Sequence, residues 1–126
     1  MDIDTEEKQE NKFHRPWGYY VNVHEEQGMK MKKIAVYENM RLSLQSHLHR
    51  SEHWVVTQGQ GRVQVGEDFH NVGPNTHVYI PKQVKHRMEN TGPELLVFTE
   101  TQIGDYLGED DITRYQDDFG REGTSS

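Results

Sequence analysis

The chain has 126 residues, no cysteine, and 14 Lys and Arg against 21 Asp and Glu, for a formal net charge of -7. That length fits one domain with one core. The missing cysteine excludes disulfides, thiolate zinc sites and a cysteine nucleophile, and the negative balance leaves no global basic field for nucleic acid or an anionic membrane. Only 32% of residues are hydrophobic and the mean hydropathy is -1.00. Those apolar residues gather in short β-branched and aromatic runs, which indicates a folded chain with an economical core rather than a disordered one.

Residues 1–12 are acidic and lack the apolar run of a signal peptide, and they read as a disordered charged arm. Tyr19, Val21 and Val23 alternate, as do Ile34 and Val36 and then Val63 and Val65. Val55-Val56 and Val78-Tyr79-Ile80 are short β-prone runs, and Leu95, Val97 and Thr99 alternate with Leu96 and Phe98. Turn chemistry separates these segments at Glu25-Glu26-Gln27-Gly28, Gln58-Gly59-Gln60-Gly61, Gly73-Pro74-Asn75 and Asn90-Thr91-Gly92-Pro93. Seven or eight short strands at this spacing predict an all-β sandwich or small barrel over residues 13–119. Lys30, Lys32 and Lys33 read as a solvated strand edge. After Glu109-Asp110-Asp111, the rhythm of Ile112, Tyr115 and Phe119 predicts a short C-terminal helix with acids at its N-terminus, and residues 120–126 read as a flexible tail. No stretch approaches the ~20 apolar residues of a membrane span, so a soluble cytoplasmic protein is expected.

The densest chemistry lies in Gln45-Ser46-His47-Leu48-His49-Arg50-Ser51-Glu52-His53. On an extended strand Gln45, His47 and His49 share one face, and Glu52 follows across a corner. An amide, imidazoles and a carboxylate so placed read as a metal site. His53 is expected to be structural, and His14, His24, His70 and His77 read as surface residues.

A second block, Asn75 to Asn90, carries Pro81-Lys82-Gln83, His86 and Asn90. The spacing of Asn39, Gln45-Ser46-His47, Glu52 and Gly59, followed by this block, resembles the two-motif template of the cupins. Asn39, Asn75 and Gln83 stand where the template has glycine. Asn tolerates the left-handed backbone such glycines adopt, and Gln does so less readily. The stretches "LSLQSHLHRSEHW", "YIPKQVKHRMEN" and "GDYLGEDDITRYQDDFGR", with "RPWGYY" ahead of them, are similar to the type II phosphomannose isomerases. In that family the domain also forms the C-terminal part of bifunctional mannose-1-phosphate guanylyltransferases.

The resemblance implies a single cupin domain, a small antiparallel β-barrel or jelly roll, with Gln45, His47, Glu52 and His86 as ligands of one divalent ion. Zinc is favoured, and nickel, cobalt, iron or manganese also suit the donor set. It further implies interconversion of mannose 6-phosphate and fructose 6-phosphate through an enediol, a homodimer, and roles for Arg50, Arg114, Arg121 and Asn75. Guanidinium groups match phosphate oxygens, so Arg50, Arg114 and Arg121 are expected to anchor the sugar phosphate, with Arg87 added by its proximity to His86. His49, Glu89 and a metal-bound water are candidate bases, with His49 preferred; Arg50 and Asn75 complete the expected catalytic set. The competing functions are another metal-dependent cupin enzyme acting on a sugar or small acid, and a non-catalytic sugar-phosphate-binding module.

Overall fold

The chain folds into eleven strands in a computed structural model that describes residues 11–121. They are β1 (Lys12–Arg15), β2 (Gly18–Glu26), β3 (Met29–Val36), β4 (Leu44–Ser46), β5 (Arg50–Gln58), β6 (Gly61–Val65), β7 (Asp68–Val72), β8 (His77–Ile80), β9 (His86–Asn90), β10 (Leu96–Gly104) and β11 (Thr113–Gln116). One sheet has the order β1-β2-β3-β10-β5-β8 and the other β11-β4-β9-β6-β7, with every pairing antiparallel. The expected arm and tail fall outside the described residues, apart from Asn11, Lys12, Gly120 and Arg121. Strands beyond the seven or eight expected include β1, β7 and β11, whose polar sequences KFHR, DFHNV and TRYQ carry little apolar alternation.

The inner face of the six-stranded sheet changes character along its length. Phe98 pairs with Val56 on one side and Ile34 on the other, and Ile34 pairs with Tyr20, giving one buried apolar row. Two residues further along β10, Glu100 pairs with Trp54 and Lys32; two further again, Gln102 pairs with Glu52 and Lys30. All six are buried, because a strand keeps the same parity on the same face. The barrel is therefore apolar at one end, where Trp54, Phe98, Leu96, Val63 and Met88 pack, and polar at the other. Lys30 and Lys32 belong to that polar interior, so the expected solvated edge is corrected: their parity is that of Ile34 and Val36, and Glu109 binds both ammonium groups at 2.8 and 2.7 Å.

Asn39, Asn75 and Gln83, the residues in place of template glycines, have φ of 65°, 75° and 69°, and are the only non-glycine residues with positive φ among those described. The backbone thus retains the left-handed turns although the glycines are gone. Gly59 is retained where φ is 86° and an added Cβ would lie 2.6 Å from the Leu95 carbonyl oxygen.

The predicted C-terminal helix is not formed. Thr113–Gln116 is strand β11, which pairs with the edge of β4 through Thr113 to Ser46 and Arg114 to Gln45. Ile112 faces the interior cavity, Tyr115 is exposed, and Phe119 packs on the main core, so the three do not form one helical stripe. Asp111 does not serve a helix N-terminus either; its carboxylate accepts the backbone N–H groups of Leu48 and His49 at 2.9 Å each. Pairing the exposed edge of β4 and satisfying those amides outweighs a weak local helical rhythm.

Candidate functional site

His47, Glu52 and His86 converge from three places in the chain, and their ligand atoms all lie within 4.8 Å of one another. His47 follows β4, Glu52 lies on β5 in the six-stranded sheet, and His86 opens β9 opposite it. His47 Nδ1 donates to the Asp111 carbonyl at 2.7 Å, and His86 Nδ1 donates to the Val84 carbonyl at 2.9 Å. Since a carbonyl only accepts, both rings present an Nε2 lone pair toward Glu52, the tautomer and orientation that metal-binding imidazoles adopt. Nε2 of His86 is buried without a hydrogen-bond partner among the described residues and lies 4.0 Å from Glu52 Oε1. A buried acceptor left in that condition fits a cation.

The charges agree with this reading. Burial holds the His47 imidazole down at about 4, outweighing the pull of Glu52, and burial also lowers His86. Burial alone would raise Glu52, but His47, Arg50 and His86 together keep it below the usual carboxylate range. Two neutral imidazoles and one carboxylate are the protonation states that a divalent ion requires. Glu52 Oε2 accepts from Arg50 Nε at 2.7 Å and Oε1 from Trp54 Nε1 at 2.9 Å, which fixes the carboxylate.

Gln45 adds the fourth expected donor. It is the direct cross-strand partner of His86 and of Arg114, so the three side chains share one face of the five-stranded sheet. Its amide nitrogen donates to Ser43 Oγ at 2.9 Å, which leaves the amide oxygen available as an acceptor.

Beside the cluster, a cavity of about 340 Å³ opens between the sheets, lined by Gln45, Arg50 and Trp54. Arg15, Arg114 and Arg121 line it as well, so four guanidinium groups surround one space. Burial, and then the neighbouring Arg121, lowers the pKa of Arg114, the electrostatic mark of crowded cations. Asp117 accepts from Arg121 Nε at 2.7 Å and Nη2 at 3.0 Å, orienting that side chain toward the rim. On the opposite wall, burial and the Glu52 charge push Glu100 up to about 8, and Gln102 donates to it at 2.6 Å. Trp17 and Tyr20 supply aromatic wall.

Three expected residues are placed elsewhere. His49 sits in the bend between β4 and β5, exposed, with its ring edge against Tyr106 at 5.9 Å, and does not line the cavity. The alternation that put it with Gln45 and His47 ends with β4 at Ser46. Asn75 occupies a left-handed turn whose N–H donates to the Val56 carbonyl, beyond the end of β8 away from Glu52. Arg87 alternates with His86 on β9 and so points to the outer face of the five-stranded sheet. Glu89, the other carboxylate weighed as a base, faces outward with it. His53 is stacked on His77 with 5.3 Å between ring centroids. Missed by sequence reasoning were Arg15, Lys32, Glu100 and Glu109. A usable signal existed for two of them: Lys32 keeps the parity of Ile34 and Val36, and Glu100 keeps the parity of Leu96 and Phe98.

Comparison with known proteins follows the same lines. Residues 2–117 match the family described as "Mannose-6-phosphate isomerase C-terminal". The chain is 44% identical over 110 residues to the Xanthan biosynthesis protein XanB of Xanthomonas campestris pv. campestris, covering 87% of this chain and 24% of that protein. It is 40% identical over 108 residues to the mannose-1-phosphate guanylyltransferase ManC of Salmonella typhimurium, covering 86% of this chain and 22% of ManC. It therefore spans about a quarter of the length of these relatives. Among solved structures, a Klebsiella pneumoniae protein with a double-stranded β-helix domain superposes with a TM-score of 0.73 at 14% identity, covering 93% of this chain and 91% of that one. The S161A mutant of Bacillus subtilis oxalate decarboxylase superposes with a TM-score of 0.72 at 18% identity, covering 87% of this chain and 30% of that one. Among the described residues no helix is long and apolar enough to cross a membrane. The cupin fold, the His-His-Glu cluster and the match along nearly the whole chain place this protein in the mannose-6-phosphate isomerase C-terminal family.

Proposed function

We propose that this chain is a metal-dependent aldose-ketose isomerase that interconverts mannose 6-phosphate and fructose 6-phosphate. The observation that carries the reading is a cavity of about 340 Å³ lined by four guanidinium groups and Gln45, joined to the His47, Glu52 and His86 cluster by Arg50, which lines the cavity and donates to Glu52 at 2.7 Å. His47, Glu52, His86 and the amide oxygen of Gln45 would hold the ion, with zinc first among the candidates. When bound, a divalent ion supplies Lewis acidity for the sugar's carbonyl oxygen.

Arg15, Arg114 and Arg121 bind the phosphate, whose oxygens their planar forks match, and Arg50 lies between that anchor and the cluster. Glu100 takes the role of base in place of His49, because it lines the cavity and its pKa of about 8 allows it to exchange a proton near neutrality. Glu100 removes the proton from C2 of the aldose, the electrons of that bond form the C1–C2 double bond, and the carbonyl electrons move to O1 to give an enediolate. The O2 hydroxyl proton passes to O1, and Glu100 returns its proton to C1 as the O2 charge reforms a carbonyl, which gives the ketose and the starting carboxylate. Burial of Glu100 behind Trp54 and Lys32 keeps bulk water from competing for that proton.

A coupled assay of the metal-loaded protein with mannose 6-phosphate, with elemental analysis of the same sample, tests the proposal. Turnover that disappears on chelation and returns with metal is expected. Binding of mannose 6-phosphate in the cavity without turnover above background overturns the isomerase and leaves a sugar-phosphate-binding module.

A further inference from the structure

A second cleft, of about 210 Å³, lies on the outer face of the five-stranded sheet, where Arg41, Arg62 and Arg87 outnumber the one wall carboxylate, Glu89, and Gln64, Phe69 and Gln116 complete the walls. Strand register assembles it. Arg62 is the cross-strand partner of Glu89, Gln64 is the partner of both Arg87 and Phe69, and Arg41 forms a bridge to Glu89. These residues alternate with Gly61, Val63, His86 and Met88, which are buried, so the cleft is separated from the barrel cavity by the sheet itself.

The two carboxylates at the cleft face its other arginines. Asp118 takes two hydrogen bonds from Arg41, both at 2.8 Å, and Glu89 lies 3.9 Å from Arg62. Arg87 is 6% exposed and bonds only to neutral acceptors, through Nε to the Leu42 carbonyl at 3.0 Å and Nη1 to Gln116 Oε1 at 3.2 Å. Its Nη2 is buried with no hydrogen-bond partner among the described residues. Asp118, Glu89 and Asp117 act on Arg87 only through space, so a buried guanidinium here still gains from an anion that bonds to it directly. Phe69 is 53% exposed, with the Arg62 guanidinium 4.9 Å from its ring centroid, which adds an apolar wall beside the cations.

We infer that this outer cleft is a second oxyanion site, built for a phosphate group and distinct from the barrel cavity. Arg87 and Arg62 hold the phosphate oxygens, Gln64 and Gln116 supply neutral polar contacts, and Phe69 covers whatever carbon skeleton is attached. Inorganic phosphate and a phosphate monoester share this chemistry, and the cleft is large enough for either.

The test is a titration of the full chain followed residue by residue by NMR, with inorganic phosphate in one arm and mannose 6-phosphate in the other. Shifts at Arg62, Gln64, Phe69 and Arg87 are expected in both arms, and tighter binding of the sugar phosphate would assign the skeleton to Phe69. Arg62→Gln, at a half-exposed position where folding is not at stake, should weaken outer-face binding at least tenfold, and Arg87→Lys should weaken it through loss of the planar fork. Arg114→Ala should leave outer-face binding in place. Shifts confined to the barrel cavity, or an outer-face affinity unchanged by Arg62→Gln, would overturn the site. Outer-face shifts that depend on protein concentration rather than phosphate would replace it with a contact between copies.

Discussion

Gln45 of β4 and His86 of β9 are direct cross-strand partners, although they come from motifs far apart in the chain. Because paired residues point to the same face, this register delivers an amide and an imidazole side by side, facing Glu52 on the opposite sheet. His86→Ala should remove the metal, and Gln45→Ala should weaken it less, since it deletes a neutral donor. For scale, loss of an outer partner of a metal ligand costs roughly 10–100-fold in affinity, and loss of His86 should exceed that. Metal content after dialysis against a graded chelator measures both; retention of a full equivalent by His86→Ala would contradict the assignment.

Glu109 tests the polar end of the barrel through pH. Lys32 and Lys30 outweigh its burial and hold its carboxyl at about 2, below its ordinary value of 4.5. A lowered folded pKa means the unfolded chain binds more protons between those values, so the contribution is complete above about 4.5 and is lost as pH falls toward 2. Glu109→Gln should flatten that part of the acid-unfolding curve and cost about 1–2 kcal/mol at neutral pH, a figure discounted because the carboxylate is half exposed. Urea unfolding of both proteins across that pH range provides the measurement. Parallel curves would mean that Lys30 and Lys32 are stabilised by other groups.

The left-handed turns give a prediction about stability alone. At Gln83 φ is 69°, a conformation that costs a side chain with a Cβ roughly 1–2 kcal/mol, while glycine returns some of that gain as unfolded-state entropy. Gln83→Gly should therefore stabilise the protein by about 0.5–1 kcal/mol, with a midpoint raised by a few degrees. Asn39→Gly should change little, because Asn already tolerates φ of 65°. Thermal unfolding distinguishes these outcomes, and a lower midpoint for Gln83→Gly would show that its side chain contributes more than its backbone strain costs.

Legibility followed the physics of each element. The β class was readable because Ile34, Val36, Leu96 and Phe98 alternate with a period that only a strand turns into one buried face. His47, Glu52 and His86 were readable because a fixed motif spacing survives where the glycines do not. The role of β11 was not, since a four-residue polar strand is determined by the vacant edge of β4 and carries no period of its own. Lys30, Lys32 and Glu100 were obscured by the presumption that charge means surface, whereas parity continued from their apolar neighbours puts them inside. His49 lies apart from Gln45 and His47 for the opposite reason: strand parity does not run past Ser46, where the strand ends and the chain bends toward Asp111.

Arg114 and Glu100 occupy different walls of one cavity, and the proposed isomerase requires them to fail in different ways. In the proposed isomerase Arg114 would contact a phosphate that is present in substrate and transition state alike, so Arg114→Ala should raise KM with a smaller change in kcat. A charge-assisted hydrogen bond of about 1.5–3 kcal/mol corresponds to roughly 10–100-fold in kcat/KM. As the proposed base Glu100 would act on the proton itself, so Glu100→Gln should lower kcat by about 10²–10⁴-fold while KM and bound metal stay close to those of the parent. The amide preserves the size of the side chain and can still bond to Gln102, which separates lost proton transfer from lost packing. Steady-state kinetics with metal analysis on both variants checks the division. If Glu100→Gln turns over normally, the proton is carried by another group, and a cavity that retains kcat without Glu100 would return His49 and metal-bound water to consideration as the base.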